Sequence, residues 1–181
     1  MTKTRLIEPG RLGAEALALE ASHETFVREF KQAGEEIVPW VAAEPYRRFA
    51  DYVAMLGDSA NGVGLEDGFV PHSTFWLVDG HDDIVAISNL RHRLNDWLLE
   101  YGGHIGYGVK PSARRRGYAT ECLRLTLLEA KKRGIDRVRV TCDKNNPASA
   151  KTILHNGGEF DGESWMPKHG RVVARYWIDL S

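Results

Sequence analysis

Apolar positions recur with helical spacing over residues 118–133, the most regular segment of the chain. The positions that share one face are Ala119, Cys122, Leu123, Thr126, Leu127 and Ala130. This spacing predicts an amphipathic helix with one buried side. Basic residues at 131–133 followed by Gly134 are typical of a helix C-terminus.

The start of this helix carries an unusual charge. Arg114, Arg115 and Arg116 precede Gly117, although the N-terminus of a helix is the positive end of its dipole and repels cations. A bound anion would remove this conflict, since glycine allows close approach and the first N–H groups of a helix lack intrahelical partners. We therefore predict a diphosphate site here. From these residues alone, a plain solvated turn is an equally good interpretation.

Alternating apolar and polar positions predict the strands. Residues 72–79 and 82–94 form an expected antiparallel pair, and further strands are expected at 4–8, 104–109, 136–142, 158–163 and 171–180. Helical spacing is expected over 12–32, with a break near Ser22, and from Glu44-Pro45 onward, before a glycine-rich loop at 58–68.

This element order predicts one α/β domain, with a mixed, mostly antiparallel central sheet flanked by helices. Residues 1–70 would form a mainly helical portion on the substrate side, and residues 72–180 would form the sheet and the cofactor-binding core.

Composition narrows the function classes. The chain has 181 residues, 43% hydrophobic residues and a net charge of −1, which suits a globular protein and argues against nucleic acid as a partner. No apolar stretch has the length of a signal peptide or membrane span, so we expect a cytoplasmic protein without a membrane partner. Cys122 and Cys142 have no metal-ligand neighbours at zinc-like spacing, and no metal is expected.

The segment after the helix supplies a second motif. Val138, Val140 and Cys142 alternate with polar residues, and Asn146 with Pro147 is typical of a helix start. Arg114-x-x-Gly117-x-Ala119, followed by a strand, Asn146-x-x-Ser149 and a short helix ending at glycine, resembles the GCN5-related N-acetyltransferase (GNAT) family. The resemblance covers about residues 83–180.

The resemblance implies a GNAT acyl-CoA-binding fold and acetyl-CoA as co-substrate. Backbone of Tyr107, Gly108 and Val109 would pair with the pantetheine arm, and Asn146 and Ser149 would contact it. The diphosphate would lie on Arg114, Arg115, Arg116, Gly117, Tyr118, Ala119 and Thr120. Gly106 and Gly108 leave one strand face bare, so a ligand could lie there; a β-bulge is an equally common reason for such glycines.

One position departs from the family pattern. Members often carry a Tyr seven residues after the motif Asn that protonates the leaving thiolate, and this position is Ile153. Tyr176 or water could take over that role. For the base, we predict His104, titrating near pH 6–7, with Glu100 as the second choice. Each could also be an ordinary polar residue.

The predicted function is direct acetyl transfer from acetyl-CoA to a primary amine on a small molecule or peptide. The alternative is a non-catalytic acyl-CoA-binding sensor or partner module, and a homodimer is a possible assembly. Acidic residues at 51, 58, 66 and 67 could attract a cationic amine, although a solvated helix face explains them as well.

Overall fold

Seven strands form one sheet in the computed structural model, which describes residues 3–181. The strands are β1 (Arg5–Ile7), β2 (His72–Val78), β3 (Ile84–Arg91), β4 (Ile105–Val109), β5 (Arg137–Asp143), β6 (Glu159–Met166) and β7 (Arg171–Asp179). Their spatial order is β1-β2-β3-β4-β5-β7-β6. Only the β4–β5 pair is parallel in this described sheet. The predicted mixed, mostly antiparallel sheet is confirmed.

Five α-helices accompany the sheet in residues 3–181. They are α1 (Ala14–Leu17), α2 (Glu20–Ala33), α3 (Phe49–Ala60), α4 (Tyr118–Lys132) and α5 (Pro147–His155). Helix α4 packs on β3 and β4, whereas α3 packs on β2. Helices therefore cover both faces of the sheet, and separate apolar clusters lie beneath the N-terminal helices and beneath α4 and α5.

Two boundaries in the N-terminal region differ from the predictions. The break in the first helical region falls at residues 18–19 rather than at Ser22, whose hydroxyl instead accepts a hydrogen bond from the Ile84 N–H (2.7 Å). Helix α3 begins at Phe49 and not at Glu44-Pro45, because the backbone is still non-helical at Glu44 (ψ 129°) and extended at Arg48 (φ −130°, ψ 137°). It also continues to Ala60, into the predicted loop.

The two parallel strands diverge almost as soon as they meet. A single pair, Ile105 with Val140, joins β4 to β5. The β3–β4 register runs without a shift from Leu90 opposite Ile105 to Ala86 opposite Val109. The β-bulge considered for Gly106 and Gly108 is therefore not present in this ladder, and the opening arises because β5 turns away from β4.

Among residues 3–181, no helix combines the length and the apolar character needed to cross a lipid bilayer.

Candidate functional site

A cleft of about 680 Å³ occupies the opening between β4 and β5. We call it the main cleft. Gly106 to Val109 line one wall and Thr141 to Asp143 line the other. The start of α4 and the first turns of α5 contribute further lining residues, so elements far apart in the chain meet here. Most residues of the predicted cofactor site line it: Tyr107, Gly108, Val109, Arg114, Arg115, Gly117, Tyr118, Ala119, Thr120, Asn146 and Ser149.

The N-terminus of α4 is built to present backbone N–H groups to this cleft. Gly117 is the N-cap with a left-handed φ of 83°, and no side chain caps the helix. The first backbone hydrogen bond runs from the Glu121 N–H to the Gly117 carbonyl (3.1 Å). The N–H groups of the preceding turn have no intrahelical acceptor, and an anion in the cleft could accept from them.

The three arginines before Gly117 have different surroundings. Arg114 forms a two-pronged ion pair with Glu35 (2.8 and 2.5 Å) and its guanidinium lies 5.5 Å from the Phe30 ring centroid. Arg115 lines the cleft with a positive φ of 64°, and Arg116 is outside the described lining. The arginines therefore do not act as one anion-binding set, because Arg114 already holds a carboxylate.

Helix α5 begins as its sequence predicts. The Asn146 side chain accepts a hydrogen bond from the Ser149 N–H (3.1 Å), and Pro147 follows at the first helical position. Asn146 and Ser149 both line the main cleft. The cap uses only the Asn146 side-chain oxygen, so its amide N–H groups are left to contact a ligand.

Tyr107 crosses from β4 to this helix. Its hydroxyl lies 2.8 Å from Ser149 Oγ, one helical turn before Ile153. Desolvation by burial raises the pKa of Tyr107 well above its ordinary value. Ile153 itself is fully buried in the apolar cluster beneath α4 and α5. The phenol group in this part of the cleft therefore comes from a strand instead of from α5.

The two cysteines are inert thiols. Cys142 lines the main cleft but is buried, and burial raises its pKa to about 11. Cys122 is also buried, with its pKa raised to about 12 by desolvation. Nucleophilic cysteines require a depressed pKa, so these residues do not suit a covalent intermediate.

Residues 35–39, which we call the strap, cover the glycine face of β4. A Cβ placed on Gly108 would lie 1.9 Å from the Val38 carbonyl oxygen, and one on Gly106 would lie 3.9 Å from Pro39 Cβ. Glu35 holds the strap to Arg114, and Glu36 lies 3.4 Å from Arg171 on β7. The face predicted to be bare for a ligand is therefore occupied by the chain itself.

His104 connects β4 to β5. Its ring Nδ1 accepts a hydrogen bond from the Arg139 backbone N–H (2.9 Å), and the His104 backbone N–H donates to the Arg139 carbonyl (2.7 Å). Burial, with Arg91 and Arg139 nearby, lowers its pKa to about 4. It lies outside the described lining of the main cleft. The titration near pH 6–7 expected from the sequence is not supported, because desolvation disfavours the charged ring.

The other two predicted catalytic residues also lie apart from the described lining. Glu100 accepts hydrogen bonds from Arg175 (2.7 Å) and from the Ser164 hydroxyl. Tyr176 is buried with its ring against Phe160, and burial raises its pKa. The structure does not bring Glu100, His104 and Tyr176 into the cleft lined by the predicted cofactor residues, and their catalytic roles remain predictions.

Several lining residues carried no signal in the sequence. Glu35, Glu36 and Val38 reach the cleft because the strap folds back over β4, and Met166 and Arg171 reach it from β6 and β7. The only sequence sign of the strap is that Gly108 lacks a side chain. In the described chain, no group of three or more His, Cys, Asp or Glu side chains could hold a metal ion.

Comparison with known proteins identifies the family. A family model described as an acetyltransferase (GNAT) domain matches residues 8–159. A search of curated proteins returned no match. Among solved structures, an acetyltransferase from Salmonella typhimurium that modifies the N-terminal serine of a 50S ribosomal subunit protein aligns over 100% of this chain and 97% of that chain, with 14% identity and a TM-score of 0.69.

Two other solved structures share the fold. A spermidine N-acetyltransferase from Vibrio cholerae aligns over 99% of this chain and 95% of that chain (16% identity, TM-score 0.59). A Bacillus subtilis acetyltransferase in complex with CoA aligns over 61% and 78% (14% identity, TM-score 0.51). The resemblance predicted from the two motifs is thus confirmed, and since the family match spans most of the sequence, the chain belongs to the GNAT acetyltransferase family.

Proposed function

We propose that this protein is an acetyl-CoA-dependent N-acetyltransferase that transfers the acetyl group directly to a primary amine of a small molecule or peptide. The main support is the arrangement of the main cleft. An uncapped helix N-terminus lies at one part of it, and the opening between β4 and β5 continues from there. This arrangement suits a ligand with a diphosphate joined to a long, hydrogen-bonding arm.

The proposed cofactor contacts follow the cleft wall. Backbone N–H groups between Arg114 and Thr120 would donate to the diphosphate, with Arg115 adding charge. Strand β5 pairs with β4 only at Ile105 and then diverges from it. The edge of β4 that faces β5 is therefore unpaired at Tyr107 to Val109. That edge would pair with the amide groups of the pantetheine arm.

The acetyl group would pass directly from acetyl-CoA to the amine, without a covalent enzyme intermediate. The neutral amine attacks the thioester carbon, a C–N bond forms, and the C–S bond breaks to release the thiolate. Two buried cysteines with raised pKa values agree with direct attack. Tyr107 stays protonated and would donate a hydrogen bond to the sulfur as negative charge develops on it.

In this proposal, water in the cleft accepts the proton that the amine loses. The Nδ1 of His104 and an Oε of Glu100 already accept hydrogen bonds within the protein. Glu35 and Glu36 line the cleft but are paired with Arg114 and Arg171, so they do not supply a free carboxylate base either.

The test is CoA release from acetyl-CoA across a panel of diamines, amino sugars and peptides with free N-termini. Acetylated product that forms with CoA in equal amounts on any amine would support the proposal. The presence of Ile153 at the usual Tyr position favours the alternative, a non-catalytic acyl-CoA-binding module. Tight acetyl-CoA binding without turnover on every amine would support that alternative and contradict the enzyme.

A further inference from the structure

Arg91, at the end of β3, is a half-buried cation without a carboxylate partner. Five arginines among residues 3–181 are buried or half-buried. Four of them form an ion pair with a carboxylate: Arg133, Arg139, Arg171 and Arg175. The described chain offers no such partner to Arg91, whose Nη1 instead donates to the carbonyls of Gly102 (3.1 Å) and Gly103 (3.3 Å). Its charge therefore lacks the compensation that the other four have.

The groups beside Arg91 supply no negative charge. His72 lies opposite it on β2, and the Arg91 backbone N–H donates to the His104 carbonyl (2.8 Å). Burial, with the charge of Arg91 nearby, lowers the pKa of both imidazoles to about 4, so they are neutral near pH 7. Desolvation lowers the pKa of Arg91 to about 10, which leaves its guanidinium charged at pH 7. A charge removed from water without a counter-ion is costly, and a bound anion would offset that cost.

The guanidinium adjoins the main cleft. Gly106 lines that cleft, and a Cβ placed on it would lie 3.8 and 3.9 Å from the two terminal nitrogens of Arg91. Pro39 of the strap would be 3.9 Å away, so the strap leaves space at Gly106 that it fills at Gly108. Arg91 therefore lies beside the closed end of the main cleft, next to the single β4–β5 pair at Ile105.

We propose that Arg91 binds the carboxylate of the acceptor, which makes free α-amino acids the substrate class of this enzyme. This role rests on the proposed acetyl transfer: the acetyl group carries no charge, so the carboxylate must belong to the acceptor. The Arg91 Nε and Nη2 have no acceptor in the described chain and can donate paired hydrogen bonds to a carboxylate.

The same position disfavours other amines. In an α-amino acid, the amine and the carboxylate share one carbon atom. A carboxylate on Arg91 would therefore hold the amine beside Gly106, next to the edge of β4 along which the pantetheine arm is proposed to lie. The second ammonium group of a diamine at this place would be repelled by the guanidinium.

The test compares each common L-amino acid with its C-terminal amide as acceptor, with acetyl-CoA as donor and CoA release as the readout. Amidation removes the negative charge and keeps the shape. It also makes the amine less basic, because a neighbouring carboxylate favours the protonated amine. We expect at least one free amino acid to have a kcat/KM about 10²-fold or more above that of its amide. Amides that react as fast as the free acids would overturn the proposal.

Arg91→Gln removes the charge and keeps a hydrogen-bond donor. We expect KM for the free acid to rise about 10²-fold and kcat/KM for the amide to stay within about 3-fold, which a merely structural defect would not produce. Arg91→Lys, which returns the charge, should keep KM for the free acid within about 10-fold of the unmodified chain. Unchanged acetyl-CoA affinity shows that each variant is folded.

Arg139→Gln is the matched control. This arginine is also buried on the sheet, but Asp161 already neutralises it and it lies outside the described lining of the main cleft. We expect the preference for the free acid to stay within about 2-fold in this variant. An equal loss of preference in Arg139→Gln and Arg91→Gln would overturn the proposal, because the effect would then not require contact with Arg91.

Succinyl-CoA tests whether the carboxylate belongs to the donor instead. A preference for succinyl-CoA over acetyl-CoA that is lost in Arg91→Gln would assign the carboxylate to the acyl group and overturn the proposal. Turnover confined to amines without a carboxylate would support the enzyme and contradict the amino-acid site.

A chain that acetylates no amine would contradict the proposed function, and binding then decides about Arg91. Calorimetry of the CoA-saturated chain with the same acids and amides is the measurement. Binding of a free acid that is lost in its amide and in Arg91→Gln would support the site. Absence of such binding would overturn it.

Discussion

At the scale of single residues, Tyr107 offers a phenol close to the position where this chain departs from the family pattern. The α5 position that often supplies a Tyr holds Ile153, which is buried in the core. Tyr107 reaches the same helix from β4, and its hydroxyl lies 2.8 Å from Ser149 Oγ within the main cleft. A neutral phenol placed there can stabilise a departing thiolate by a hydrogen bond.

We predict that Tyr107→Phe lowers kcat roughly 10²-fold, because one preorganised donor to the leaving group is lost. Acetyl-CoA affinity should change little, since the ring is retained. Tyr176→Phe is the matched control: that phenol also has a raised pKa but lies outside the described cleft lining. Steady-state kinetics with one acceptor amine measures both. An unchanged kcat in Tyr107→Phe, or a large fall in Tyr176→Phe, would assign the donor elsewhere.

At the scale of elements, the strap connects the N-terminal helices to the sheet. It crosses β4 so closely that the Val38 carbonyl occupies the space of a missing Gly108 side chain. Glu35 anchors it to Arg114, and Glu36 faces Arg171 across the cleft. The strap is therefore part of the wall of the main cleft.

The paired variants Gly108→Ala and Gly106→Ala test this packing. Gly108→Ala should lower the free energy of unfolding by about 2 kcal/mol, because the new methyl group must displace backbone. Gly106→Ala should change it by no more than about 1 kcal/mol. Its Cβ would meet nothing closer than Arg91 at 3.8 Å. Urea unfolding of both proteins gives the comparison. Equal stability of the two variants would show that the strap does not press on β4.

Local signals explain which elements could be predicted. The start of α5 at Asn146-Pro147 and the end of α4 before Gly134 depend only on residues that are adjacent in sequence, and both are observed. The pairing of Glu35 with Arg114 joins residues 79 positions apart. His104 binds backbone 35 positions away, on β5. Such contacts depend on tertiary structure. The sequence motifs therefore indicated residues that line the cleft, but they did not indicate that the strap covers the face beside Gly108.

At the scale of the whole molecule, three buried histidines link folding to pH. Desolvation lowers the pKa of His23, His72 and His104 from 6.5 to about 4. Between pH 4 and pH 6.5, these histidines are therefore protonated in the unfolded chain and neutral in the folded chain. The contribution of these neutral histidines to the free energy of unfolding is fully present above about pH 6.5 and decreases as the pH falls toward 4.

We predict a loss of about 2 kcal/mol for each of these histidines between pH 7 and pH 5. Urea unfolding at the two pH values measures the total. His23→Phe should remove about one third of the pH dependence, because this ring lies in an aromatic cluster with Phe49, Tyr52 and Trp76 and lacks contact with the main cleft. A pH dependence that is unchanged in this variant would mean that His23 is not buried in its neutral form.

The most direct test of the account is acetyl-CoA binding at the start of α4. Gly117→Glu places a carboxylate where the diphosphate should lie, and Gly134→Glu places the same residue at the other end of the same helix. Both glycines have a positive φ (83° and 75°) and open space around an added Cβ, so the backbone strain is matched. Calorimetry should show acetyl-CoA affinity reduced about 10-fold or more in folded Gly117→Glu and retained in Gly134→Glu. Equal affinity in the two variants would contradict a diphosphate site at this helix N-terminus.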